Sequence, residues 1–349
     1  MNKLYLIDPH RQDLYDNNIF DGQKHYSLKV YENIKKILRR KGIIIDTIDL
    51  HDIRKADKIF FFDFNDFTVF DKQKSKYLAK CIKYKIPKGK MNLIIVESPI
   101  IKPYNWLKDN HGYFSKIYTW NDSLIDNKKY FHYLLPINND GFDTKEIPFS
   151  KKKFLIMINA NKVNYFKNEL YSLRRKAIRY FEKRLINDFD LYGFGWDKPL
   201  QLKLLYSIFK GNYIKIFRYV FDYFSSFKTF PSYKGTVIDK YPTLSQYKYC
   251  LCFENMGEIE GNITEKIFDC LKAKCVPIYY GGKNISNYIP KDIFIDFEDF
   301  EDFNELTTYL YNINETAYQK YIHNINRFIK SNTIKKWSSE SYCESIFLR

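Results

Sequence analysis

The sequence predicts an α/β chain of two Rossmann-like domains facing a central cleft, each built on a parallel, doubly wound sheet. Three observations carry that expectation. Short β-branched or aromatic runs alternate with stretches of helical periodicity, as in consecutive βαβ units. A polar stretch with little pattern, residues 138–151, interrupts the alternation before it restarts. A length of 349 residues suits two domains of about 150 each better than one compact core.

In the first half, residues 4–7, 43–48, 58–62 and 91–96 read as strands. Residues 26–40 carry Leu28, Tyr31, Ile34, Ile37 and Leu38 at helical spacing, and Gly42 ends that helix. Residues 72–84 read as a second helix. In the second half the strands are 154–158, 189–192, 249–253, 276–280 and 294–297, with helices over 169–185 and 265–274. The domains are therefore placed at 1–140 and 151–325, with a helical tail over 326–349. Ile322, Ile325, Phe328 and Ile329 lie at helical spacing where that tail begins, predicting a helix that packs back on the fold. Ligands of such sheets bind outside the carboxyl ends of the strands.

Composition narrows the partners without choosing one. Hydrophobic residues make up 45% and charged residues 28%, so a sizeable core is expected and disorder is not. The net charge of +16 favours an anionic partner: nucleic acid, a membrane surface or a phosphorylated ligand. The excess of Lys, Ile, Asn, Tyr and Phe also reads as the codon bias of an AT-rich genome, so charge alone assigns nothing. The 6 cysteines are scattered without a CxxC pair, and the 6 histidines show no metal spacing. Buried thiols in a reducing compartment are expected. The opening MNKLYLIDPHRQD lacks the apolar core of a signal peptide, and no run of 18 apolar residues occurs. The location expected is cytoplasmic. The aromatic, lysine-rich segment 202–233 reads as a core-facing helix with a loop, as an amphipathic helix touching the inner face of a membrane, or as an aromatic platform for an acceptor.

The densest chemistry lies in residues 247–288, YKYCLCFENMGEIEGNITEKIFDCLKAKCVPIYYGGKNISNY. A buried strand delivers Glu254 and Asn255, and a loop with Gly257 and Gly261 follows. Thr264 can cap a helix whose first turn holds Glu265 and Lys266. A helix start offers unpaired N–H groups and a positive dipole end, and Lys266 adds a full charge, so this is a natural seat for a diphosphate. Asp63-Phe64-Asn65-Asp66 admits a metal-binding DxD reading, weakened by its position in the other half.

These residues resemble the signature of glycosyltransferase family 10, the α1,3-fucosyltransferases: Phe253-Glu254-Asn255, then Ile263-Thr264-Glu265-Lys266, then Val276-Pro277-Ile278 and a glycine turn. The resemblance extends over residues 90–300 and is densest in the second half. Two departures stand out: Asn262 replaces the family's aromatic before Ile-Thr-Glu-Lys, and the preceding loop is one residue longer, with Glu258 and Glu260. The resemblance implies the GT-B fold and inverting transfer of L-fucose from GDP-fucose to O3 of N-acetylglucosamine or glucose in a surface glycan, glycolipid or O-antigen, with no obligatory metal. It implies that Lys266 and a helix-borne arginine bind the diphosphate. That arginine is Arg175 by its Lys-Ala-Ile continuation, with Arg174 the rival. Asn255, Glu265, Asn262 and Gly281 would line the donor. The Val96-Glu97-Ser98-Pro99 run matches the family's strand ending in its general base, which makes Glu97 the expected catalytic carboxylate. Rival readings are a GT-B transferase with another nucleotide sugar, and a basic nucleic-acid-binding protein, for which no motif is present.

Overall fold

A computed structural model describes residues 2–9, 11–24, 26–64, 76–138, 146–197 and 229–349. The segment 202–233 lies almost wholly outside them, as do Asn65, Asp66 and residues 139–145 of the 138–151 stretch. The chain divides into two compact units. The first comprises Met1–Asp140, Glu260–Asn262 and Ser331–Arg349; the second comprises Gly141–Ile259 and Ile263–Lys330.

The first unit holds six parallel strands: β1 (Lys3–Asp8), β2 (Ile43–Thr47), β3 (Lys58–Phe62), β4 (Met91–Ile95), β5 (Lys116–Thr119) and β6 (Tyr130–His132). Their order is β2-β1-β3-β4-β5-β6. The second unit holds β7 (Lys153–Ile158), β8 (Phe189–Tyr192), β9 (Tyr247–Phe253), β10 (Val276–Tyr280) and β11 (Ile295–Asp296), ordered β11-β10-β9-β7-β8 and also parallel. Both sheets thus reverse direction beside their first strand, which fixes a switch point between β1 and β3 and another between β7 and β9.

Burial explains these strands. Every residue of β4 is buried, as are six of the seven in β9, the pattern of a parallel sheet covered on both faces. Each fully buried Leu, Ile or Phe contributes about 1.5–3 kcal/mol, so such central runs dominate the core. Helix α1 (Lys29–Arg40) buries Val30, Ile34 and Leu38 at four-residue spacing. The other longer helices are α2 (Lys76–Lys83), α3 (Tyr171–Arg184), α4 (Glu265–Lys272), α5 (Phe303–Asn312) and α6 (Glu315–Ile329).

Residues 331–349 finish the first unit. The Ile137 amide donates to Trp337 O at 2.9 Å, Ser339 Oγ donates to Val30 O at 3.4 Å, and Phe347 packs edge-on against Phe60 with centroids 4.7 Å apart. All six cysteines are free and buried. Burial pushes the Cys81 and Cys275 thiols up to about 12, which keeps them protonated and unreactive. No helix among the described residues is long and apolar enough to cross a membrane.

Candidate functional site

The second unit gathers its chemistry at the carboxyl ends of β7 and β9, the switch point of its sheet. Strand β9 runs out at Phe253, and the next residue, Glu254, is wholly buried. Its amide still donates to Tyr280 O at 2.8 Å, so the side chain leaves from the end of the ladder. The carboxylate accepts from the Thr264 amide at 3.0 Å, from the Thr264 hydroxyl at 2.8 Å and from Lys266 Nζ at 2.8 Å. Thr264 is the N-cap of α4, receiving the Lys266 amide at 3.5 Å, while Lys266 Nζ also reaches Thr264 Oγ1 at 2.8 Å. The expected cap is therefore present, and it is held by a carboxylate that the sequence reading had not given a role.

Lys266 keeps its side chain 22% exposed while Glu254 has none. Burial alone would lower its pKa, but Glu254 and then Glu265 outweigh that and raise it above the ordinary lysine value. The ammonium is thus permanently charged, and part of that charge is committed to Glu254. Glu265, 59% exposed, stands 4.0 Å from Lys266 Nζ.

The arginines come from α3. The segment leading into that helix is stitched to the loop after β9: the Leu170 amide donates to Asn255 O at 3.1 Å, the Gly257 amide to Asn168 O at 2.9 Å, and Glu169 bridges Met256. Arg174 is buried, and its Nη2 donates to Phe253 O at 2.6 Å and to Asn255 Oδ1 at 3.1 Å. Burial lowers its pKa, partly offset by Tyr171 and Glu254, and its Nε has no hydrogen-bond partner among the described residues. Arg175 is half-buried and donates to Asn161 Oδ1 at 2.7 Å, just beyond β7. Arg174 therefore braces the end of β9, whereas Arg175 stands beside the end of β7. A cavity of about 30 Å³ lies beneath, lined by Asn159, Lys240, Lys266 and Asp269 among others. It has room for about one water.

Two glycines are set by close approach. A Cβ on Gly281 would come within 2.4 Å of Glu254 Cγ, so this glycine leaves space for the buried carboxylate. Gly281→Ala is expected to cost about 1–3 kcal/mol of stability, read as a lower melting temperature; an unchanged melt would mean that the turn yields. Gly261, grouped with the first unit, takes φ +76, and a Cβ there would meet Trp120 O at 2.0 Å. Its neighbour Asn262 is buried and is grouped with the first unit.

In the first unit, Glu97 lies two residues past β4 and is half-buried. Asp63, one residue past β3, is buried, with Oδ1 accepting from the Val96 amide, the Glu97 amide and Asn105 Nδ2. Of the DxD run, this carboxylate is turned to the backbone of residues 96 and 97.

Residues 222–346 match the model of glycosyltransferase family 10 (fucosyltransferase), C-terminal part. The match lies wholly in the second half of the chain. Segments of the chain are 38% identical over 86 residues to the 4-galactosyl-N-acetylglucosaminide 3-alpha-L-fucosyltransferase 9 of Mus musculus, covering 24% of each chain. They are 35% identical over 80 residues to the alpha-(1,4)-fucosyltransferase of Arabidopsis thaliana, covering 22% of this chain and 20% of that one. The matches thus span a fifth to a quarter of these relatives' length. The fold is that of GT-B glycosyltransferases. A solved alpha1,3-fucosyltransferase with GDP-fucose superposes with TM-score 0.55 at 16% identity, covering 100% of this chain and 91% of that one. The T4 phage BGT in complex with UDP and Mn2+ gives 0.55 at 12%, covering 99% of both.

Proposed function

We propose that the protein is an inverting fucosyltransferase that moves L-fucose from GDP-fucose to a glycan hydroxyl, O3 of N-acetylglucosamine or glucose. The observation that carries this reading is Lys266. It is a charged lysine in the first turn of α4, just past a buried strand, at the switch point of the sheet and inside the stretch that matches the family 10 model.

The departing group is a diphosphate, and its developing charge must be met where it forms. Lys266, Arg175 and the positive dipole end at the start of α4 supply that compensation without requiring a metal. Arg174 and Glu254 hold those groups in place, and Asn255 and Glu265 lie beside them to meet the nucleotide sugar. Glu97 removes the proton of the acceptor hydroxyl as it attacks the anomeric carbon from the side opposite the diphosphate.

The test is nucleotide release across GDP-fucose, GDP-mannose, UDP-glucose and UDP-galactose, with lactose and N-acetyllactosamine as acceptors. Acceptor-dependent release from GDP-fucose is expected to exceed that from the others by at least about tenfold, since a sugar or base of other configuration leaves polar groups of the site unpaired at about 1–3 kcal/mol each. Chelation with EDTA is expected to leave the rate unchanged. Preferential release of UDP would transfer the reading to another donor, and collapse of the rate in EDTA would overturn metal independence.

A further inference from the structure

The strand that carries Glu97 is held beyond its last sheet partner entirely by side chains. The pairing of β4 with β3 ends at Phe62↔Ile94, and that with β5 at Ile95↔Thr119. Residues 96 and 97 therefore present four backbone polar groups with no strand to take them. All four are taken by side chains. The amides of Val96 and Glu97 donate to Asp63 Oδ1 at 2.8 and 3.0 Å. Their carbonyls accept from the indoles of Trp120 at 2.9 Å and Trp106 at 3.3 Å, two rings packed 5.3 Å apart.

Asp63 is costly where it stands. It is 2% exposed, its Oδ2 has no hydrogen-bond partner among the described residues, and its backbone takes φ +61. Asn105 Nδ2 donates to Oδ1 at 2.6 Å, and the Asp63 amide donates to Ile94 O at 2.9 Å. A buried carboxylate with one oxygen unpartnered opposes folding. An apolar side chain would avoid that cost if the turn only needed filling. What the carboxylate delivers is one acceptor shared by two successive amides, which fixes the direction in which the strand end leaves the sheet.

We propose that Asp63 is a positioning residue for Glu97, pinning the amides of Val96 and Glu97 so that the Glu97 carboxylate is carried to a fixed place. The proposal rests on Glu97 being the general base. Two substitutions isolate the role. Asp63→Asn keeps an acceptor oxygen and tolerates the left-handed backbone, while Asp63→Gly suits that backbone better and removes the acceptor.

Hydrogen exchange at Val96 and Glu97 reads the clamp without any substrate. Asp63→Gly is expected to exchange there about tenfold faster, the loss of one bond to a charged acceptor, while Asp63→Asn stays protected. In kinetics with GDP-fucose, Asp63→Gly is expected to lower kcat about 10²-fold through misplacement with the donor KM unchanged, and Asp63→Asn to restore it. Unchanged protection in Asp63→Gly overturns the clamp. Lost protection with full kcat, while Glu97→Gln is inactive, overturns positioning. Equal damage in Asp63→Asn and Asp63→Gly shows that charge matters instead and overturns the proposal. Full activity in Glu97→Gln removes the base, and the proposal falls with it.

Discussion

Replacing Glu97 with glutamine is expected to lower kcat by about 10³-fold, within the range for loss of a positioned general base, while the Kd for GDP-fucose stays within twofold. The amide has nearly the volume of the carboxylate but cannot take a proton. The backbone of residue 97 is held by Asp63 and Trp106 through main-chain atoms, so the substitution leaves its anchoring intact. The donor ligands named above all come from other elements. Stopped-flow turnover paired with calorimetric titration of GDP-fucose separates the two quantities. Turnover at the wild-type rate would remove Glu97 from the mechanism; equal losses in kcat and affinity would place it in donor binding.

Lys266→Ala is the second large effect, and it has two parts. The ion pair with Glu254 at 2.8 Å has one fully buried member. Removing the lysine leaves that carboxylate with only the two Thr264 donors, at a cost of about 3 kcal/mol. The lost cation is also expected to weaken GDP-fucose binding by about 10- to 100-fold, the worth of one charged hydrogen bond. The double variant Lys266→Ala with Glu254→Gln distinguishes the parts, because neutralising Glu254 removes the stranded charge but supplies nothing to a diphosphate. Its melting temperature is expected to recover while its Kd stays weak. Recovery of both would make Lys266 a structural counterion and remove it from the donor site.

Much of this was legible because parallel strands buried on both faces leave uninterrupted apolar runs. Residues 58–62, 91–96 and 276–280 are such runs, and they appear as β3, β4 and β10. Strands β5 and β6 were missed, since four and three residues are too few to show a period. The last strand shrank from 294–297 to Ile295–Asp296. The Thr264 cap was readable from Thr-Glu-Lys before an apolar helix, but the Glu254–Lys266 pair was not. Nothing in the sequence says that a strand-end carboxylate pairs with a lysine 12 positions further on. The choice between Arg174 and Arg175 had the same limit: adjacent helix positions point about 100° apart, and only the packed structure shows which one lies against β9. Asp63 was hidden for a further reason, because its partners stand 33 and 34 positions away.

The return of residues 331–349 to the first unit has a consequence for biogenesis. During synthesis, the opening strands of β1–β6 leave the ribosome long before Trp337, Ser339 and Phe347, which close their core. The first unit to emerge is thus the last that can mature, and it must wait, partly uncovered, while the whole second unit is translated. Chaperones acting on the nascent chain are expected to dwell on Phe60 and its neighbours until that closing segment arrives.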